Sequence, residues 1–234
     1  MNAIAEAIDV AKVYLSEGRE ALAALEGVSL RIAPGEMVAL MGPSGCGKST
    51  LLNLFGCIDL PTRGSITIDG RITSKLDDDA LTRLRRERVG TVFQFFNLLP
   101  ALTLRENVAL PLRLGGVDRA SIAARVDEVL RSVAIGDLAQ AYPSQVSGGQ
   151  MQRAAIARAV IAHPAIVLAD EPTGNLDSAT GAQVLRLLRE LADGGQALLM
   201  ATHSHDAAAV CDRVIRMHDG RMIETSLRTD TGSR

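Results

Sequence analysis

The residues Gly42-Pro43-Ser44-Gly45-Cys46-Gly47-Lys48-Ser49-Thr50 combine the groups that a bound phosphate chain requires. Glycines let the backbone curl so that successive N–H groups converge on an anion. The apolar run Met37-Val38-Ala39-Leu40-Met41 precedes this stretch and Leu51-Leu52-Asn53-Leu54-Phe55 follows it, so the order is strand, loop, helix. The helix N-terminus behind the loop adds about half a positive charge. Lys48 can reach the β- and γ-phosphates, and the Ser49 hydroxyl can ligate Mg²⁺. A complete G-x-x-x-x-G-K-S in this context implies a nucleoside triphosphate.

A second group of residues answers the first. The apolar strand Ile166-Val167-Leu168-Ala169 ends on Asp170 and Glu171. At that strand end Asp170 can complete a magnesium shell opposite Ser49, and Glu171 can polarise a water for attack on the γ-phosphate. Two acids after a strand are often only a solvated turn. The phosphate loop upstream gives these two a partner and favours the catalytic reading. Ser147-Gly148-Gly149-Gln150, entered from Val146, is another glycine-rich helix start and therefore another anion cradle. One phosphate group has little use for two cradles in one chain, which suggests that this one serves a different molecule's nucleotide. Gln94 is the one polar residue in Val92-Phe93-Gln94-Phe95-Phe96, so a functional reason for it is expected.

These residues need a scaffold, and the hydrophobic pattern supplies one. Residues 4–32 read as short strands, 65–68 as a half-buried strand and 89–93 as another. The intervening 76–88 reads as a helix with Asp77, Asp78 and Asp79 first and arginines last, a solvated face that suits the helix dipole. From 103 to 138 the pattern is helical, with Ile122, Val126, Val129, Leu130 and Val133 on one face. Pro111 and Gly115-Gly116 are expected to break it upstream. A helix over 149–161 and one over 177–191 flank the strand at 166–169. A buried strand at 197–201 and short strands at 214–217 and 222–223 follow. The layout is a single α/β domain, with a core of residues 1–94 and 160–224 interrupted by a helical subdomain, 95–159. Residues 225–234 are expected to form a disordered tail.

Composition narrows the setting. The chain has 234 residues, 47% of them apolar, with no run near the roughly eighteen that a membrane span takes. No signal peptide is expected at the N-terminus, so a soluble cytoplasmic chain is expected, with any membrane role coming through a partner. A formal charge of −2 and 3% aromatic residues argue against nucleic acid as a partner. Cys46, Cys57 and Cys211 are unclustered and lack metal-ligand spacing.

Taken together, these stretches resemble the ATP-binding subunits of ABC transporters over residues 4–224. The phosphate loop resembles the Walker A motif, and Ile166–Asp170 the Walker B motif with Glu171 as its catalytic glutamate. Val146 to Gln150 resembles the LSGGQ signature, with Val146 in place of leucine. Gln94 sits where the Q-loop glutamine belongs, Asn175-Leu176-Asp177 resembles the D-loop, and His203 is placed like the switch histidine. Tyr14 sits where an adenine-stacking aromatic belongs.

The resemblance implies a P-loop NTPase core with an N-terminal antiparallel β subdomain and an inserted helical subdomain. It also implies a head-to-tail homodimer that closes on two ATP molecules with Mg²⁺. Each ATP would lie between the phosphate loop of one subunit and Ser147, Gly149 and Gln150 of the other, near Asp177. Glu171 would be the general base, Lys48 and His203 would contact the γ-phosphate, and Gln94 would join Ser49 and Asp170 at the metal. Gln94 would also couple the site to an integral membrane permease, which would hold the chain at the inner face of the cytoplasmic membrane.

Three longer stretches resemble the MacB, LolD and FtsE group within that family. They are Asn53-Leu54-Phe55-Gly56-Cys57-Ile58-Asp59, Phe93-Gln94-Phe95-Phe96-Asn97-Leu98-Leu99-Pro100, and Ala169 through Asp177. That group implies an ATPase powering export, lipoprotein release or mechanical work by a separate membrane subunit. An FtsE-like regulatory ATPase that signals to cell-wall enzymes without transport is the alternative.

Overall fold

The computed structural model describes residues 3–15 and 21–227. The first half of the chain runs β1 (Ala5–Tyr14), β2 (Leu22–Ile32), β3 (Met37–Met41), α1 (Lys48–Phe55), β4 (Arg63–Ile68), β5 (Arg71–Ile72), α2 (Asp78–Arg88) and β6 (Val89–Val92). It continues with α3 (Leu104–Leu114), α4 (Arg119–Ser132), α5 (Gly148–Val160), β7 (Ile166–Asp170), α6 (Ser178–Asp193), β8 (Ala197–Ala201), α7 (His205–Ala209), β9 (Arg213–His218) and β10 (Arg221–Leu227).

The central sheet has the order β10-β9-β3-β8-β7-β6, and its neighbours are parallel except for the β9–β10 hairpin. Every residue of β3 and β8 is buried, which is why both read as continuous apolar runs. Alternation decides which layer each residue joins. Met37, Ala39, Val167, Ala169, Leu198 and Met200 face one core, together with residues of α3 to α7. Val38, Leu40, Ile166, Leu168, Leu199 and Ala201 face the other, against α1 and the second sheet. That second sheet is antiparallel, in the order β2-β1-β4-β5.

Because β3, β8, β7 and β6 are parallel, their C-terminal ends share one edge of the sheet. The phosphate loop leaves β3, Glu171 follows β7, His203 follows β8, and Gln94 follows β6. Ligands of open α/β sheets bind at that edge.

The structure departs from the sequence reading in several places. The segment at 4–32 holds two long strands in place of several short ones. Register shifts along β1 break the alternation that would have displayed its length. Pro111 does not break α3 but lies inside it. The helix starts with a Thr103–Glu106 capping box and buries Leu104, Val108 and Leu112, which offsets the hydrogen bond a proline cannot donate. Finally, β10 runs to Leu227, three residues into the expected tail. Its polar 224–226 side chains are exposed on an edge strand whose backbone pairs with β9. The remainder of that segment, 228–234, lies outside the described residues.

Candidate active site

The phosphate loop is shaped by glycine where no other residue fits. At Gly47 the backbone has φ +103°, and a Cβ there would stand 2.6 Å from the Ala24 carbonyl. At Gly42 a Cβ would stand 2.3 Å from the Met217 carbonyl. Gly47 is also the N-cap of α1 and provides no capping side chain. The first N–H groups of α1 therefore have neither an intrahelical partner nor a side-chain cap. Leu51 is the first to close on the helix, donating to the Gly47 carbonyl at 2.9 Å. Lys48 folds back over the loop, its Nζ donating to the carbonyls of Gly42 at 2.7 Å and Pro43 at 3.0 Å. Cys46 is buried, and its Sγ lies 3.8 Å from the same ammonium. Unpaired N–H groups and one lysine around a curled loop are the donors a polyphosphate needs.

Across from the loop, Ser49 Oγ donates to Asp170 Oδ2 at 3.3 Å. Burial pushes the Asp170 carboxyl above its ordinary pKa. The Ser49 hydrogen bond and Lys48 oppose that rise, and the neighbouring Glu171 charge adds to it. A carboxylate and a hydroxyl, both hard oxygen donors, fit a small divalent cation such as Mg²⁺. That cation would also supply the positive charge a half-buried carboxylate lacks.

Glu171 occupies a left-handed backbone conformation, φ +46°, which is costly for a residue with a side chain. Its side chain is fixed at both oxygens. Oε1 lies 2.8 Å from His203 Nδ1, and Oε2 accepts from Thr202 Oγ1 at 3.3 Å. His203 is largely exposed, while Thr202 is fully buried and its hydroxyl also accepts from the Ser204 N–H at 3.0 Å. His205 instead opens α7, behind its N-cap Ser204.

Gly42, Pro43, Ser44, Gly45, Gly47, Lys48, Ser49, Thr50, Gln94, Asp170, Glu171 and His203 line one open cavity of about 530 Å³. Gln94 reaches it pressed against Gly174, where a Cβ would meet its Nε2 at 2.8 Å. Its carbonyl accepts from Asn175 Nδ2 at 3.0 Å. Two other cavities, about 490 and 650 Å³, lie away from the glycine loop and contain none of these residues.

The remaining sequence-predicted residues do not line this cavity. Tyr14 lies to one side, donating to Asp59 Oδ2 at 3.0 Å, with the Lys12 ammonium 4.9 Å from its ring centre. Asp177 caps α6, accepting from the Thr180 N–H at 3.0 Å and its hydroxyl at 2.6 Å. Those bonds hold its carboxyl below the ordinary range. Ser147 and Gln150 form a capping box at the start of α5: Ser147 Oγ accepts from the Gln150 N–H at 3.3 Å, and Gln150 Oε1 accepts from the Ser147 N–H at 2.8 Å. Ser147 is left with its own hydroxyl proton to donate outward. Gly149 packs against α6, where a Cβ would meet Thr180 Cγ2 at 2.3 Å.

Sequence reasoning missed Thr202 and Arg158. Arg158, on α5, donates to the carbonyls of Asn97 at 2.6 Å and Phe96 at 2.9 Å, both in left-handed backbone. No spacing rule marks a side chain that serves distant backbone.

A glycine-rich loop between a parallel strand and a helix, facing Asp170 and Glu171, defines a P-loop nucleotide hydrolase. The family model described as ABC transporter matches residues 25–174. An ABC transporter ATP-binding protein of Thermotoga maritima is 44% identical over 222 residues, covering 95% of this chain and 94% of that one. The macrolide export ATP-binding/permease protein MacB of Salmonella typhimurium is 45% identical over 223 residues, and that of Marinobacter nauticus 46% over 217. These cover 95% and 93% of this chain, which spans only 34% and 33% of the two MacB proteins. The dimeric ATP-binding cassette MJ0796, in a post-hydrolysis state bound to ADP and Pi, superposes with a TM-score of 0.87 at 43% identity. That match covers 96% of this chain and 99% of the cassette. The chain belongs to the ABC transporter family and is one of its ATPases.

Proposed function

We propose that this chain is the ATP-hydrolysing subunit of a MacB- or LolD-type transporter, working as a homodimer beneath a separate membrane permease. One observation carries the dimer: Ser147, Gly149 and Gln150 do not line the cavity that holds Lys48, Asp170 and Glu171. Each chain thus presents a phosphate loop at one place and a second anion cradle at another. Head-to-tail pairing joins them into two composite sites. The MJ0796 cassette is dimeric, which supports the pairing of two chains.

Within a composite site the loop N–H groups and Lys48 hold the phosphates of ATP, while Ser147 of the second subunit donates from the other side. Tyr14 stacks on the adenine. Ser49 and Asp170, with Gln94 near them, would hold Mg²⁺, which would supply positive charge to offset that of the phosphates. Glu171 accepts the proton of the attacking water, and His203, 2.8 Å away, orients the carboxylate and meets the γ-phosphate. Gln94 links this chemistry to the exposed Phe95 and Leu99, an apolar surface suited to a permease. No helix among the described residues is long and apolar enough to cross a membrane.

Mixing variants tests the composite sites. Ser147→Arg and Lys48→Ala homodimers should each be inactive at both sites. A heterodimer of the two keeps one intact site, so an equal mixture should recover up to about a quarter of native turnover. No recovery would place all the groups in one chain and overturn the trans arrangement. A pull-down from native membranes with tagged Glu171→Gln and ATP tests the role. A partner with a few spans and a large extracytoplasmic domain is the expected catch, and a cell-division membrane protein would turn the reading to FtsE-like signalling.

A further inference from the structure

A buried polar side chain beside the Glu171 turn has no part in the catalytic reading. Gln152 is completely buried on α5. Its Nε2 donates to the Pro172 carbonyl at 2.7 Å, and its Oε1 has no hydrogen-bond partner. The Pro172 carbonyl can only accept, which fixes the orientation of the amide. A buried amide with one unmet oxygen is a poor way to stabilise a core. What it achieves is to fix the backbone directly after Glu171.

That backbone needs fixing. Glu171 is held in a left-handed conformation that persists only when its surroundings determine it. Two main-chain bonds and one from a side chain do so: the Glu171 N–H donates to the Ala201 carbonyl at 3.0 Å, the Glu171 carbonyl accepts from the Gly174 N–H at 3.0 Å, and the Pro172 carbonyl accepts from Gln152 Nε2. The first ties Glu171 to the sheet and the second closes its own turn. Only the third reaches α5.

Position on α5 matters as much as the bond. Gln152 lies three residues after Gly149, on the same helical face, one turn behind the Ser147–Gln150 start. A displacement of that helix start therefore moves the Pro172 carbonyl, and with it the Glu171 carboxylate. We infer that Gln152 is a positioning residue for hydrolysis, a strut through which α5 sets the Glu171 carboxylate for attack.

This inference rests on Glu171 being the general base, and the test separates the two. Gln152→Met keeps the length and burial and removes both the donor and the unmet oxygen; the buried Pro172 carbonyl is then the unmet acceptor in its place, so the fold should be only slightly less stable. Turnover should fall about tenfold with KM for ATP within twofold, while the thermal midpoint drops by no more than about 5 °C. In a Glu171→Gln background, single-turnover hydrolysis should show no further loss, because Gln152 acts through the residue already removed. Gln152→Leu, also without a donor, should repeat the result if Met packs badly. Unchanged turnover, or an equal further loss in the Glu171→Gln background, would overturn the strut. Near-native turnover by Glu171→Gln alone would instead overturn the general-base assignment.

Discussion

Glu171→Gln should bind ATP as the native chain does and hydrolyse it roughly a thousandfold more slowly, within the range attributed to a positioned general base. The substitution is nearly isosteric. The amide oxygen can keep one of the two contacts seen at the carboxylate, to His203 Nδ1 at 2.8 Å or Thr202 Oγ1 at 3.3 Å. What it loses is the capacity to take a proton from water at neutral pH. It also removes one of two adjacent negative charges. Since the Glu171 charge helps push the Asp170 carboxyl up, neutralising it should leave metal and nucleotide binding intact or stronger. Binding without turnover traps the closed state. On gel filtration, ATP should convert this variant to a species of twice the monomer mass, and ADP should not. Turnover near native, or a monomer in saturating ATP, would remove Glu171 from the base's role.

The residues of that site were legible in the sequence because each follows a parallel strand. Strands buried on both faces leave unbroken apolar runs, and β8 shows this clearly, its sequence-read limits of 197 and 201 matching Ala197–Ala201. Once the runs are located, the polar residues at their ends stand out: Asp170 closing β7 with Glu171 after it, and His203 after β8. What the pattern hid is of two kinds. The pairing of β4 with β1 depends on register between segments more than forty residues apart, such as Ala7 opposite Ile66, and no local period encodes it. Arg158, Thr202 and Gln152 act on backbone carbonyls or on a side chain brought near by folding. Their neighbours in sequence say nothing about that work. Pro111 is a third kind of case, where packing and a capping box overrode a strong local rule.

Lys48→Ala should cost more in binding than any other single change at the loop. The ammonium is already drawn over the loop mouth by the carbonyls of Gly42 and Pro43, so it is poised and not recruited from solvent. A charge-assisted hydrogen bond to a phosphate is worth about 1.5–3 kcal/mol, and here it sits among unpaired helix N–H groups that act in the same direction. ATP affinity should therefore fall about a hundredfold, the equivalent of about 2.7 kcal/mol. Turnover should fall further, because charge that builds on the γ-phosphate during transfer loses one of its cations. The fold should be little affected. The released carbonyls belong to an open cavity and can turn to water, and α1 is anchored by Leu51, Leu52, Leu54 and Phe55, all buried. Titration calorimetry with Mg–ATP, read beside a thermal melt, separates the two effects. A hundredfold weaker Kd with an unmoved midpoint places Lys48 on the phosphates. Native affinity would mean that the loop's N–H groups suffice, and a collapsed midpoint would mean that the lysine holds the loop and not its ligand.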